Sequence, residues 1–462
     1  MNLPKKIHVT GICGVATSAL AIAFHKRGVI VTGSDKGFFP PVSTELEKQG
    51  VPFYAGWHPE KMIENGVPKL VMFGGSGTSA SNPEIAYARE HNIPVMAFPE
   101  VLHKYFIKKN SIVVVGTWGK TTSSSLLSFI LDQAGMEPSY FTGGLSLSHD
   151  TGMISDSDWS IVEGDEYQVS ISDKRPKFVY YSPTHLMLTS VSWDHADLYP
   201  TEKAYFDEFR KLVGNIPSYG LIVCNADQAG VKQAIGEARA KVVTYGTKDA
   251  DYVFDSVKPT RNGIDFTVKH LNESWNIHTP MLGRFNAENI AGCFAMAREI
   301  GIEPAKIIKA IADFKGIKRR FEKRFEGDYT VLDCHAPTPE KAASVLESVK
   351  EVYDGKIIAV FEPNIGGRQR ESIGKYDGAF KDADIVVIPR LTKLKVDENE
   401  AVKPIEGDEL AKVISKTHSE MQYIEDDEKV VAFLKGQAKK GDVIVFLGSH
   451  GFRGMIEEVI PQ

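Results

Sequence analysis

Three stretches of this chain carry residues whose types and spacing suit chemistry. In Val113-Val-Val-Gly116-Thr-Trp-Gly119-Lys120-Thr121-Thr122 a hydrophobic run passes into a glycine loop and then into a helical pattern over 121–134. Amides of such a loop wrap nucleotide phosphates, a lysine placed like Lys120 bridges the β and γ oxygens, and a hydroxyl placed like Thr121 coordinates Mg²⁺. Only Thr117 and Trp118 separate Gly116 from Gly119, so the loop is shorter than the common GxxxxGK[ST] pattern. The second stretch is acidic. A strand over 160–162 ends in Glu163-Gly-Asp165-Glu166, and a later strand, 185–191, is followed by Trp193-Asp194-His195-Ala-Asp197. Carboxylates at the carboxyl ends of parallel strands hold Mg²⁺ directly or through water, and an imidazole holds a second ion. The third is Gly11-Ile-Cys-Gly14, between a strand and a helix, with Asp35 following the next strand. Such a turn presents amides to a phosphate, and an acid after the second strand commonly bonds a ribose hydroxyl. The spacing is GxxG rather than GxGxxG, so the standard dinucleotide fingerprint is absent. A tight turn needed only for packing, or a nicotinamide site, explains this feature as well.

The elements that must position these residues alternate between strand and helix periods. Strands are expected at 7–10, 29–33, 69–73 and 94–97, with helices at 15–27, 43–49 and 82–91. The polar, basic text over 103–111 reads as a linker. A second block runs from a strand at 112–115 through others at 160–162, 185–191 and 221–224 to helices at 286–300 and 304–313, with a β meander over 251–278. A third has strands near 329–333, 357–361, 384–388 and 443–447, with helices at 339–352 and 428–438. Alternation at this spacing implies parallel sheets with right-handed crossovers. The expected architecture is α/β throughout, as three consecutive domains covering 1–107, 108–317 and 318–462.

The 462 residues suit about three domains. Lys and Arg number 54 against 60 Asp and Glu, a net charge of -6 without a basic tail, which disfavours general nucleic-acid binding. The apolar runs are too short to cross a bilayer, so no membrane partner is expected. The four cysteines, Cys13, Cys224, Cys293 and Cys334, form no CxxC pair, and a reducing cytoplasm is expected. Lys5 and Lys6 before an apolar stretch resemble a secretory signal, but His8, Thr10, Gly11 and Gly14 break that stretch into strand, turn and helix start.

Taken together, these residues resemble the Mur ligase family, the ATP-dependent enzymes that build the peptide of bacterial cell walls. The shortened loop GTxGKT stands as Gly116–Thr121, the acidic E-x-D-E as Glu163–Glu166 and the DH-x-D as Asp194–Asp197. The adenine segment G-x-x-N-x-x-N is Gly283-Arg-Phe-Asn286-Ala-Glu-Asn289, and the basic hinge is Lys318-Arg319-Arg320-Phe321. Ile7–Gly14, Val31–Asp35 and Pro40-Pro41, with Glu166-Tyr167 and Asp173–Phe178, look most like the murein peptide ligases, with the UDP-N-acetylmuramate–L-alanine ligases second.

The resemblance implies a Rossmann-like UDP-binding domain, a P-loop ATPase-like central domain and a Rossmann-like C-terminal domain for the acceptor. It implies ATP and Mg²⁺ as cofactors, UDP-N-acetylmuramate as carboxylate donor and a peptide or amino acid as acceptor. Lys120 and the amides of Gly116, Thr117, Gly119, Thr121 and Thr122 would bind the ATP phosphates. Thr121 and Glu166 would hold one Mg²⁺ and His195 the second, with Lys120, Glu166 and His195 as the catalytic set. Asn286 and Asn289 would lie at the adenine site, and Arg320 near the ribose and phosphates. Gly11, Gly14, Ser34 and Asp35 would hold the UDP part, and Arg368 and Arg370 an acceptor carboxylate.

The chain departs from the branch at several positions. Trp118 and Phe285 replace histidines, and Arg210 lies roughly where other members carry a carbamylated lysine. In Asp333-Cys334-His335-Ala336-Pro337-Thr338-Pro339, Cys334 replaces an acid, and Pro337 and Thr338 replace two histidines. These losses fall on the acceptor side, so an altered acceptor is expected. Two other classes stay open: a non-catalytic relative that sequesters UDP-muramyl compounds, and a P-loop kinase.

Overall fold

The computed structural model describes residues 2–38, 42–74, 81–170, 173–195, 198–392 and 404–461. Pro40, Pro41 and Asp197 lie outside the described residues. The chain divides into two compact units: residues 1–256, 266–279 and 287–315 in one, and 257–265, 280–286 and 316–462 in the other.

The first unit begins with a five-stranded, wholly parallel sheet. Its strands run Phe53–Ala55, Ile30–Asp35, Lys6–Thr10, Leu70–Phe73 and Val95–Ala97 from edge to edge. This order leaves from the central strand in both directions, which opens a crevice at the carboxyl ends of the middle strands. The glycine turn after Lys6–Thr10 is at that crevice, leading into the helix Val15–Lys26. The expected linker over 103–111 is not one. His103 and Lys104 close the helix Phe98–Tyr105, which buries Phe98, Val101, Leu102 and Tyr105, and the next strand starts at Asn110. Their positive charges favour the negative end of a helix, so basic text marks its last turn.

A ten-stranded sheet follows. Its centre is parallel: Leu221–Asn225, His185–Leu188, Asn110–Val115, Trp159–Gly164 and Ser139–Phe141 are successive neighbours. Asn110–Val115 lies between Trp159–Gly164 and His185–Leu188, so the phosphate loop and both acidic segments leave one sheet edge side by side. The expected meander forms Tyr252–Thr260, Gly263–His270 and Glu273–Thr279.

The second unit carries a six-stranded sheet in the order Glu322–Glu326, Thr330–Cys334, Val443–Gly448, Ile357–Glu362, Ile385–Pro389, Met421–Ile424. All pairs are parallel except the first, which is antiparallel with a register shift between Lys323 and Phe325. Buried runs such as Ile357–Glu362 explain why strands of this kind read as continuous apolar text. Among the described residues no helix is long and apolar enough to cross a membrane.

Candidate active site

Gly116 ends the strand Asn110–Val115 at φ +144°, and a Cβ on it would lie 2.2 Å from Thr189 Oγ1 and 2.8 Å from the Ser190 amide nitrogen. The loop is pinned to the next strand's exit. The Thr117 amide donates to Ser190 O (3.1 Å), the Trp118 amide to Ser190 Oγ (3.0 Å), and Thr189 Oγ1 to Trp118 O (2.5 Å). Thr117 Oγ1 donates to Ser192 O and lies 3.1 Å from Tyr205 OH. Gly119, at φ +83°, opens the helix Lys120–Gln133 with no side-chain cap, and Thr122 is buried in that helix's first turn. The helix amides therefore face the loop with their positive dipole end, the arrangement an anion needs. A Cβ on Gly119 would lie 2.5 Å from Asn289 Oδ1, which brings Asn289 against the loop.

Lys120 folds back over this loop. Its Nζ donates to Gly116 O (2.5 Å) and to both oxygens of Glu166, at 3.0 and 2.8 Å. Burial works against the ammonium, but Glu166, Glu163 and Asp165 hold Lys120 above its ordinary value. Thr121 Oγ1 meets Glu163 rather than Glu166, donating to Glu163 Oε1 at 3.2 Å, while the Gly143 amide donates to Glu163 Oε2 at 2.8 Å. Desolvation pushes the Glu163 carboxyl up, against the pull of Lys120. His195, at φ +55°, places Nε2 3.6 Å from Glu166 Oε1. Glu166 first, then Asp194, raise its imidazole above the ordinary range. Asp165 pairs with Lys177 (2.5 Å). The site thus pairs Thr121 with Glu163, and Glu166 with both Lys120 and His195. Glu163, named in the acidic segment but assigned no role there, joins the candidate set. Among the described residues no group of three or more His, Cys, Asp or Glu stands together to hold a metal.

At the first sheet, Gly11 sits at φ +79° and its amide donates to Ser34 O (2.8 Å). Gly14 precedes the helix Val15–Lys26 without a side-chain cap. Asp35 Oδ2 accepts from the Cys13 amide (2.8 Å), which ties the carboxylate to the glycine turn. Ser34 Oγ is turned inward to Glu84 Oε2 (2.5 Å). Glu84 also accepts from Tyr54 OH (2.7 Å) and the His58 amide (2.9 Å), and its Oε2 lies 3.3 Å from His8 Nε2. Sequence reading missed this buried network, because Glu84 in a helix's first turn looks like an ordinary surface acid suited to the dipole.

Glu84 gives a pH prediction. Burial alone would raise its carboxyl, but bonds from His8, Ser34 and Tyr54 outweigh it and hold the group below the usual carboxylate range. A group lowered on folding stabilises above its unfolded value and loses that contribution as pH falls through the folded one. Glu84→Gln is expected to cost about 2–3 kcal/mol at neutral pH. In urea melts the gap from wild type narrows as pH drops below the usual carboxylate range; a gap independent of pH contradicts the assignment.

In the second unit the hinge residue Arg319, at φ +61°, spreads its guanidinium over the carbonyls of Gly448, Ser449 and His450, with Nε 3.3 Å from Asp333 Oδ1. Desolvation pushes Asp333 up to about 6. Arg320 beside it is exposed. Cys334 is buried and its thiol is pushed up by burial, whereas Thr338 caps the helix Pro339–Lys350 and Pro337 O accepts from the Asn364 amide. Asn286 Nδ2 donates to Leu282 O (2.7 Å). The two acceptor candidates differ. Arg368 is 2% exposed, with Nε on Ile405 O, Nη1 on Thr392 O and Nη2 on Glu406, so in this state its guanidinium holds chain, not ligand. Arg370 is exposed and has no ion pair among the described residues. Arg210 pairs with Asp207 (2.6 Å).

Residues 6–109 match the model "Mur ligase family, catalytic domain", 114–297 "Mur ligase middle domain", and 319–450 "Mur ligase, glutamate ligase domain". The chain is 31% identical to the UDP-N-acetylmuramate–L-alanine ligase of Bradyrhizobium diazoefficiens, over 97% of this chain and 96% of that protein. It is 30% identical to the UDP-N-acetylmuramate–L-alanyl-gamma-D-glutamyl-meso-2,6-diaminoheptandioate ligase of Escherichia coli, over 98% and 97%. In fold it is similar to the crystal structure of the UDP-N-acetylmuramate-alanine ligase from Thermotoga maritima, with a TM-score of 0.80, 24% identity and 98% of each chain covered.

Proposed function

This chain belongs to the Mur ligase family, whose members are ATP-dependent, ADP-forming ligases, and from that premise we propose that it joins the muramyl carboxylate of UDP-N-acetylmuramate to the amine of a peptide. The observation that carries the reading is Lys120, poised on the phosphate loop against Glu166, with Thr121–Glu163 and His195 beside it. L-Alanine as acceptor is the second reading, favoured by the alanine-adding relative, which is as similar as the peptide-adding one.

The chemistry follows from charge. A carboxylate is a poor acyl donor because oxide would have to leave. Attack of its oxygen on the γ-phosphorus of ATP, with ADP leaving, gives an acyl phosphate, and the amine then attacks the acyl carbon and expels phosphate. Two anions must first approach each other. Lys120 is the protein's own cation at that place, and it would exchange Glu166 for phosphate oxygens when ATP binds. The helix amides after Gly119 would share the phosphate charge. The oxygen donors Thr121 and Glu163 suit Mg²⁺, and Glu166 with His195 suits a second ion. Mg²⁺ bound there supplies charge neutralisation between carboxylate and phosphate. Gly11, Gly14 and Asp35 would hold the UDP part, with Ser34 positioned by Glu84. Asn289 would contact the nucleotide beside Gly119, and Asn286 the adenine. Arg320 would serve its phosphates and Arg370 an acceptor carboxylate. The segments 1–107, 108–317 and 318–462 would divide these tasks as sugar nucleotide, ATP and acceptor.

The test incubates purified protein with ATP, Mg²⁺ and UDP-N-acetylmuramate and offers L-alanine or L-alanyl-γ-D-glutamyl-meso-diaminopimelate, with products read by mass spectrometry. ADP release and an amide with the tripeptide are expected. An amide only with L-alanine selects the second reading. If no amine supports turnover while ATP still binds, the ligase reading fails.

A further inference from the structure

Away from the phosphate loop, the first unit holds a cavity of about 900 Å³ between the segment 174–184 and the helix Glu202–Gly214. Phe178, Tyr199 and Leu212 line it and are almost wholly buried, so they give it an apolar floor. Tyr219, 81% exposed, stands at its rim with Lys174, Arg175 and Lys211. Arg175 pairs with Asp173 and Lys211 with Glu208, while Lys174 has no ion pair among the described residues. Asp173 and Glu208 answer Arg175 and Lys211, so Lys174 leaves the mouth one net positive charge.

Tyr199 connects this wall to the chemistry. Its hydroxyl donates to Glu166 O (2.6 Å) and its amide to His195 O (2.8 Å). Its ring lies edge-on to Tyr205 at 5.2 Å, and Tyr205 OH is 3.1 Å from Thr117 Oγ1 on the phosphate loop. One cavity residue thus touches Glu166 and His195 directly and reaches the phosphate loop through Tyr205.

We infer that this cavity is a binding site for a small amphipathic carboxylate, an aryl or acyl acid. Its apolar body would lie on Phe178, Tyr199 and Leu212 and its carboxylate at Lys174, and occupancy would change nucleotide affinity through Tyr199. A concave apolar floor with a few placed polar groups is the usual form of such sites. Displacing the Tyr199 ring would move Glu166 and His195 together, and a ligand with different affinity for the two arrangements must shift ATP affinity reciprocally. The relay rests on reading Lys120 and its loop as the ATP site; the cavity does not.

2-Naphthoate is the probe, titrated calorimetrically into the full chain. It is expected to bind once per chain, at least about tenfold weaker in Lys174→Glu and not at all in Leu212→Trp, which fills the floor. Saturating naphthoate is expected to shift the Mg-ATP Kd by at least about threefold in wild type. Tyr199→Phe keeps naphthoate binding and loses that shift. No naphthoate binding to wild type, or binding unchanged in the exposed-rim variant Lys174→Glu, overturns the site. An ATP affinity indifferent to naphthoate overturns the relay. Failure of ATP to bind at all overturns the ligase reading and the relay, and the naphthoate arms still decide the cavity.

Discussion

Lys120→Ala is expected to lower turnover by at least about 10³-fold, close to 4 kcal/mol of transition-state stabilisation. Among the described residues the side chain is the one ammonium bonded to both the loop carbonyl of Gly116 and the Glu166 carboxylate. Without it, Glu163 and Glu166 face an incoming triphosphate with no lysine between them, since Lys177 is held by Asp165, and like charges at short range repel strongly where water is sparse. The loss should fall mainly on kcat, because the developing charge on the transferred phosphoryl group is what Lys120 offsets. The Gly11–Gly14 turn lies on a different sheet, so UDP-N-acetylmuramate should bind the variant within about twofold of wild type, because distant sites act independently. Steady-state kinetics with calorimetric binding of the sugar nucleotide check both halves. Retained turnover refutes the role of Lys120.

Gly116→Ala should be nearly as damaging, through geometry rather than charge. The added methyl would meet Thr189 Oγ1 at 2.2 Å and the Ser190 backbone at 2.8 and 2.9 Å, and φ +144° is a conformation L side chains avoid. Backbone cannot rotate away as a flexible side chain can, so either the loop moves or the strand exit does. Strain and overpacking together should cost about 2–5 kcal/mol. Because Thr117 and Trp118 take their positions from Ser190, ATP binding should be lost with the stability. A thermal melt and an ATP titration on the same sample test this. Wild-type ATP affinity in a folded Gly116→Ala protein contradicts the tight packing assigned to the loop.

The contrast between these residues explains what was legible in the sequence. The phosphate loop is a local object: strand, glycine turn and helix are contiguous, so period and spacing expose it. Glu163 is not local. Its meeting with Thr121 depends on Trp159–Gly164 lying next to Asn110–Val115 in parallel register, which sets Val114 opposite Glu163. The acidic segment was recognisable, but which of its carboxylates faces Thr121 is decided by strand order and side-chain direction. Glu84 was hidden for a different reason. Its partners come from positions 8, 10, 34, 54 and 58, a convergence that only the folded sheet creates. Arg368 shows the opposite case: arginine near a loop reads as a ligand-binding charge, and in this structure three chain groups hold it. The charged strand Glu322–Glu326, which follows the basic hinge, escaped because an edge strand needs no apolar alternation.

The most direct test of the acyl-phosphate account uses UDP-N-acetylmuramate labelled with oxygen-18 in its carboxylate, with ATP, Mg²⁺ and whichever amine supports turnover. Attack of that carboxylate on the γ-phosphorus transfers one labelled oxygen to inorganic phosphate for each amide formed, and mass spectrometry of the phosphate should find it there. Phosphate released without the label, while amide accumulates, would mean that the carboxylate never joined the phosphoryl group.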